Sequence, residues 1–183
     1  RHLVVRHEDG FASVVGGKLT TYRRMAEDAV DLVARELGHP IPCPTRELPL
    51  VGACEPPNEA RLVRRGLEAG LPESLAEALV DRYGAEAERI IALLRDDPGL
   101  AEPLAPGLPY LQAEVVFAAQ ALMAVTVEDV LERRLRLVVR DAEGARRAAP
   151  AVARCLARVL GWSASEAEDR AEAYARSRGR HAG

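Results

Sequence analysis

Six prolines fall between Gly38 and Pro57, at positions 40, 42, 44, 49, 56 and 57. Proline lacks the N–H that a helix interior or an inner strand needs, so no long regular element can run through this stretch. The segment reads as an extended connection over a surface, and it divides the chain. The expected organisation is a first piece over residues 1–37, a Pro-rich connection over 38–57, an all-α domain over 58–177 and a frayed tail over 178–183. The chain opens at Arg1, without methionine and already inside a strand pattern, which is how a fragment of a longer protein starts.

The first piece alternates. His2-Leu3-Val4-Val5-Arg6 and Phe11-Ala12-Ser13-Val14-Val15 flank Asp9-Gly10, the pattern of a β-hairpin. Gly16-Gly17-Lys18-Leu19-Thr20-Thr21 must then turn sharply into a helix capped by Thr20 or Thr21. Tyr22, Met25, Ala26, Ala29, Val30, Val33 and Leu37 share one face of that helix, and Gly38 closes it. A hairpin with one helix leaves a sheet edge and a helix face uncovered, so this piece is expected to dock on something larger.

Beyond the prolines the signals are helical. Helices are expected over 58–69 (stopped by Gly70), from Pro72 to Gly84, over 86–95 and over 111–124. The last of these is almost wholly apolar, with Glu114 as its single charge, and is expected at the centre of the bundle. Thr126-Val127-Glu128-Asp129 fits a capping box and starts a helix to about Val139. Asp141 caps the next stretch and Pro150 restarts it, with Val152, Leu156, Val159 and Leu160 inward and Gly161 as the stop. Ser163-Ala164-Ser165-Glu166, a second capping box, opens a last helix to about Arg176. The fold class expected is therefore mainly α, an N-terminal β-hairpin plus helix followed by an all-α domain.

Composition removes several functions. A pI near 5.9 and 4% aromatic residues supply neither the basic face nor the stacking surface of a nucleic-acid binder. Arg133, Arg134 and Arg136 alternate with Glu128, Asp129, Glu132, Asp141 and Glu143, which reads as ion pairing on a solvated helix face. Cys43, Cys54 and Cys155 make no C-x-x-C pair and read as reduced, mostly buried thiols of a cytosolic protein. His2, His7, His39 and His181 have no ligand spacing, so no metal site is expected. No apolar run reaches the roughly 18 residues of a membrane span.

One segment suggests a ligand. Adjacent glycines allow positive φ, and the following helix start presents free N–H groups and a positive dipole end. Lys18 is the only lysine beside twenty-four arginines. A P-loop is excluded, because Ala12 and Leu19 stand where glycine and Ser or Thr would be required. A tight strand-to-helix turn with no ligand stays open on spacing alone. No G-x-G-x-x-G follows a strand, so the phosphate-binding half of a dinucleotide site is not in this sequence.

The string Val14-Val15-Gly16-Gly17-Lys18-Leu19-Thr20-Thr21-Tyr22-Arg23-Arg24-Met25 closely resembles the last flavin-contacting segment of FAD-dependent glycerol-3-phosphate dehydrogenases. Thr126-Val127-Glu128-Asp129-Val130-Leu131-Glu132-Arg133-Arg134, Leu108-Pro109-Tyr110 and Leu160-Gly161-Trp162 resemble the helical C-terminal domain of the same family. The resemblance implies that residues 1–37 end an FAD-binding α/β domain whose N-terminal part is missing here. It implies a flavoenzyme oxidising sn-glycerol 3-phosphate to dihydroxyacetone phosphate, with hydride passing to FAD and electrons to a membrane quinone. Lys18 is then the catalytic candidate, and Gly16, Gly17, Lys18, Leu19 and Thr20 are the candidate flavin-binding residues. The family's Ser-Arg-x-His pattern places its arginine either just upstream of Arg1 or, with a one-residue deletion, at Arg1 itself. The chain alone is expected neither to hold FAD nor to turn over. A cytoplasmic location is implied, with peripheral attachment at the inner face of the membrane. Three alternatives stay open: a glycerol-3-phosphate oxidase passing electrons to oxygen, a structural cap or homodimer contact as the helical domain's role, and a stand-alone helical interaction module.

Overall fold

The computed structural model describes residues 1–53 and 56–179. Cys54, His181 and the end of the expected tail lie outside the described residues. Two compact units divide the chain, Arg1–Leu50 and Val51–Gly183.

In the first unit, strands β1 (His2–Arg6) and β2 (Ala12–Gly16) pair antiparallel, with Val4 opposite Val14 and His2 opposite Gly16. Gly10 turns the hairpin at φ 89°, and the His7 N–H closes it on the Phe11 carbonyl at 2.8 Å. Helix α1 (Tyr22–Glu36) ends where Gly38 takes φ 75°. No residue of α1 is buried: Val30 and Val33 are 58% and 43% exposed. The chain from Gly38 to Leu50 belongs to this unit and returns along α1, where Arg23 donates to the Thr45 hydroxyl at 3.1 Å.

The second unit is helical: α2 (Pro56–Glu68), α3 (Glu73–Tyr83), α4 (Ala87–Asp96), α5 (Gln112–Ala121), α6 (Leu137–Arg140), α7 (Ala142–Leu160) and α8 (Ala164–Gly179). The fold class is the one expected from the sequence. Two apolar clusters form its core. Leu62, Leu79, Ile90, Ile91 and Leu94 gather α2, α3 and α4 in one, while Val152, Leu156 and Ala167 gather α7 and α8 in the other. Helix α5 serves both, giving Val116 and Phe117 to the first and Val115 and Ala118 to the second. Its residues 113–118 are buried on every side, which is why the helix is almost wholly apolar.

Glu114 of α5 is fully buried and is held by Arg82 of α3 through two bonds, Nε to Oε2 at 3.1 Å and Nη2 to Oε1 at 2.9 Å. The Leu111 N–H donates to the same carboxylate at 2.8 Å, capping the start of α5. Arg82 also donates to the Pro109 carbonyl at 2.7 Å and stacks over Tyr110, 4.5 Å from the ring centroid. Burial pushes the Glu114 carboxyl upward, while Arg82, Leu111 and the Tyr83 hydroxyl oppose the rise. Burial beside that carboxylate drives the Tyr83 phenol well above its ordinary range.

Three expectations are corrected. The helix expected from Thr126 to Val139 starts as read, with the Thr126 hydroxyl accepting from Asp129 N–H at 2.9 Å and Asp129 accepting from Thr126 N–H at 3.1 Å. It then widens into a π-turn over Asp129–Arg134 and breaks at Arg136, φ 54°, before α6. The Leu135 N–H bonds the Val130 carbonyl at 2.8 Å, five residues back, and the capping box that starts the helix says nothing of this widening. A left-handed arginine costs about 1–2 kcal/mol. Helix α5 stops at Ala121 rather than Ala124, because Met123 takes φ 58° and the Ala124 N–H reaches back to Ala118. Pro150 does not restart a helix; it lies inside α7, which runs unbroken from the Asp141 cap, whose carboxylate accepts from Gly144 N–H at 2.7 Å. Packing of Ala148, Ala149, Ala151 and Val152 on the core outweighs the one helical bond proline removes.

Of the described cysteines, Cys155 is buried and its thiol is pushed up to about 11, while Cys43 is half-buried.

Replacing Glu114 by Ala leaves the Arg82 charge uncompensated in the core. A loss of about 3–5 kcal/mol in unfolding free energy is expected by urea denaturation. The Arg82→Met, Glu114→Leu double variant is expected to lose clearly less than the Glu114→Ala single variant, and an equal or larger loss would show that the pair is not what holds α3 to α5.

Candidate functional site

The residues singled out by the sequence, Gly16, Gly17, Lys18, Leu19 and Thr20, lie consecutively at the junction of β2 and α1. Gly16 and Gly17 take φ 78° and 96°, where a side chain is strained. Space forbids one as well. A Cβ on Gly17 would lie 2.4 Å from Met25 Sδ, and one on Gly16 would lie 3.0 Å from the Arg1 carbonyl oxygen. The glycines therefore let the turn close against β1 and the first turn of α1.

Leu19–Thr21 form one 3-10 turn that runs directly into α1. Thr21, at the helix N-cap, turns its hydroxyl back onto the turn: it donates to the Lys18 carbonyl at 2.9 Å and accepts the Lys18 N–H at 3.2 Å. Thr20 makes no such cap. The Thr21 N–H also bonds the Lys18 carbonyl, at 2.9 Å. As the opening residues of a helical run, Leu19 and Thr20 present N–H groups with no acceptor inside the run. Everything from Gly16 to Tyr22 is exposed, Leu19 by 89%. Among the described residues no carboxylate pairs with the Lys18 ammonium.

Behind the turn, His2 of β1 bonds Asp28 of α1, Nε2 to Oδ2 at 2.7 Å, and Arg24 reaches the other Asp28 oxygen at 2.9 Å. The bond to His2, assisted by Arg24, holds the Asp28 carboxyl below its ordinary range. This pair fastens the hairpin to the helix and so fixes the turn between them. Spacing could not have found it, since the partners are 26 residues apart.

The arrangement is a cationic, donor-rich helix start flanked by the exposed apolar side chains of Val15, Leu19 and Tyr22. That set suits an anionic group carried on a flat or apolar body, such as the pyrimidine edge of a flavin or a phosphate ester.

A family model described as the C-terminal domain of alpha-glycerophosphate oxidase matches residues 43–167. The chain belongs to this family. It is 37% identical over 166 residues to the probable mitochondrial glycerol-3-phosphate dehydrogenase of Dictyostelium discoideum, covering 88% of this chain and 25% of that protein. Glycerol-3-phosphate dehydrogenase 1 of Mycobacterium tuberculosis is 44% identical over 146 residues, 78% of this chain and 26% of that protein. The crystal structure of the Bacillus halodurans glycerol-3-phosphate dehydrogenase, complexed with FAD, superposes with a TM-score of 0.80 at 25% identity. That superposition covers 96% of this chain and 36% of the other. The chain thus spans between a quarter and about a third of the length of these relatives. The family match begins at Cys43, beyond the Gly16–Tyr22 turn.

Because Asp28 titrates below its ordinary value in the folded chain, its contribution to stability is full above the ordinary carboxylate range and is lost as the pH falls through the lowered value. The difference in thermal stability between the native protein and Asp28→Asn is therefore expected to be present at pH 7 and to vanish in strong acid. A difference that persists unchanged at the acid end would mean that the His2–Asp28 bond contributes nothing through the carboxylate's charge.

Proposed function

We propose that this chain is the C-terminal part of a flavoenzyme that oxidises sn-glycerol 3-phosphate to dihydroxyacetone phosphate and passes the electrons to a quinone. The observation that carries the reading is Lys18, exposed and without a carboxylate partner, beside the N-terminal end of a fifteen-residue helix on a two-glycine turn. FAD, when bound, supplies the hydride acceptor for the C2 hydrogen of the substrate.

The residues of the turn do the rest. The N–H groups of Leu19 and Thr20, with the positive end of α1 behind them, donate to the cofactor edge on which negative charge collects, and such preorganised donors act without reorientation. Gly16 and Gly17 let the turn close against β1 and α1, which sets those donors in place. Lys18 holds the substrate's phosphate or C2 oxygen as a compact point charge. Val15, Leu19 and Tyr22 exclude water from the apolar side of the site. On this reading the 183-residue chain by itself neither holds FAD nor turns over, and the missing FAD domain and the substrate are its principal partners.

Electron transfer to oxygen is the second reading, favoured by the matched family's description as an alpha-glycerophosphate oxidase domain. Hydrogen peroxide formed in air by the full-length enzyme, at a rate equal to glycerol 3-phosphate consumption, would establish it over the quinone.

The test of the main reading is bleaching of the flavin absorbance by glycerol 3-phosphate in the full-length protein. Lys18→Ala is expected to slow bleaching by about 10²-fold with FAD still bound. Bleaching by Lys18→Ala at the native rate would remove Lys18 from the site, and a full-length protein that binds no flavin would overturn the function.

A further inference from the structure

In the second unit, the end of α3 and the broken helix over residues 129–140 enclose a cleft of about 430 Å³. Arg82, Arg134, Arg136 and Arg140 line it against one carboxylate, Asp81. Arg82 is committed to Glu114, so three guanidinium groups face a single acid.

These three differ from the arginines around them. Arg133 pairs with Glu128 at 2.8 Å and Asp129 at 3.2 Å, as the sequence pattern predicts. Arg146, Arg147 and Arg158 also meet carboxylates, those of Glu143, Asp141 and Asp97. Among the described residues no carboxylate reaches Arg134, Arg136 or Arg140. A solvated face laced with ion pairs accounts for Arg133 and leaves the other three unexplained.

Their placement is built into the backbone. The Arg134 Nε donates to the Leu122 carbonyl at 2.8 Å, which anchors the half-buried guanidinium where it lines the cleft. The π-turn over Asp129–Arg134 shifts the register of the helix, and the left-handed backbone at Arg136 reverses its direction, so residues 134, 136 and 140 share one cleft instead of spreading around a regular helix. Strained non-glycine backbone of this kind gathers at ligand sites. The Tyr83 side of the cleft is aromatic.

We propose that this cleft binds a phosphomonoester. Planar guanidinium forks match the oxygens of a phosphate in pairs, and three forks suit a dianion with three terminal oxygens better than a carboxylate with two. The volume exceeds that of a bare phosphate and admits an organic ester group against Tyr83. The cleft is built wholly from residues of the second unit, and the proposal does not rest on the flavin reading. Its ligand is either a soluble phosphomonoester or the phosphomonoester headgroup of a lipid.

The test is calorimetric titration of the full-length protein with inorganic phosphate at low ionic strength. Arg136→Gln, Arg140→Gln is the probe, since both side chains are exposed and meet no carboxylate among the described residues, and an unchanged melting temperature is expected. Arg64→Gln, Arg95→Gln, two exposed arginines elsewhere in the unit, removes the same charge as a control. Phosphate affinity is expected to fall by about tenfold or more in the cleft variant and to stay native in the control. Any affinity at another site is common to all three proteins. No phosphate binding by the native protein, or equal losses in both variants, overturns the proposal. Glucose 6-phosphate titration and co-sedimentation with vesicles containing phosphatidic acid then separate the sources. Loss of one of these in the cleft variant alone assigns the ligand, and loss of neither overturns the site.

Discussion

The buried Arg82–Glu114 pair is the contact on which the helical unit depends. Two charges leave water here, and the cost is offset because nearly every polar atom they carry is used: two bonds between the partners, one from Leu111 N–H, one to the Pro109 carbonyl, and the face of Tyr110 beneath the guanidinium. An apolar α5 could slide or rotate between its two clusters, since leucine, valine and alanine tolerate many arrangements. A bidentate ion pair tolerates one. It fixes α5 against α3, and with them the loop that carries Pro109, Tyr110 and Leu111, so that both clusters close around a single register.

The first unit is organised on the opposite principle. It has no buried helix face, and its hairpin and helix meet through polar and glycine contacts: His2 on Asp28, Thr21 on Lys18, Gly17 against Met25. These define the shape of one turn with few atoms and leave Val15, Leu19, Val30 and Leu37 exposed.

Much of this was legible in the residues. Asp9-Gly10 announced the hairpin, Gly38 and Gly161 the ends of α1 and α7, and the Thr126 and Ser163 boxes the starts of two helices, because each of these signals acts within four residues of chain. Glu114 was legible as the odd charge in an apolar helix, but Arg82, 32 residues away, was not. The turn at Gly16–Thr20 was readable as glycine freedom beside a helix start, whereas the reason Gly17 must be glycine is a methionine eight residues on, folded back by α1. Arg134 and Arg136 read as ordinary surface charge, and Arg140 carried no signal at all. Their convergence required a π-turn and a left-handed arginine that no local preference favours.

By itself, the sequence determined where no long regular element could run, at the prolines from 40 to 49, and most of the stretches that would be strand or helix, because steric freedom and periodic burial are written residue by residue. Pro56 and Pro57, read as part of the connection, open α2 instead. Only the tertiary structure decided which charge finds which partner, where the helix after Thr126 breaks, and that Pro150 is carried through rather than ending a helix. Each of those outcomes is set by contacts between residues distant in the chain, where packing and desolvation outweigh the small preferences of any local segment.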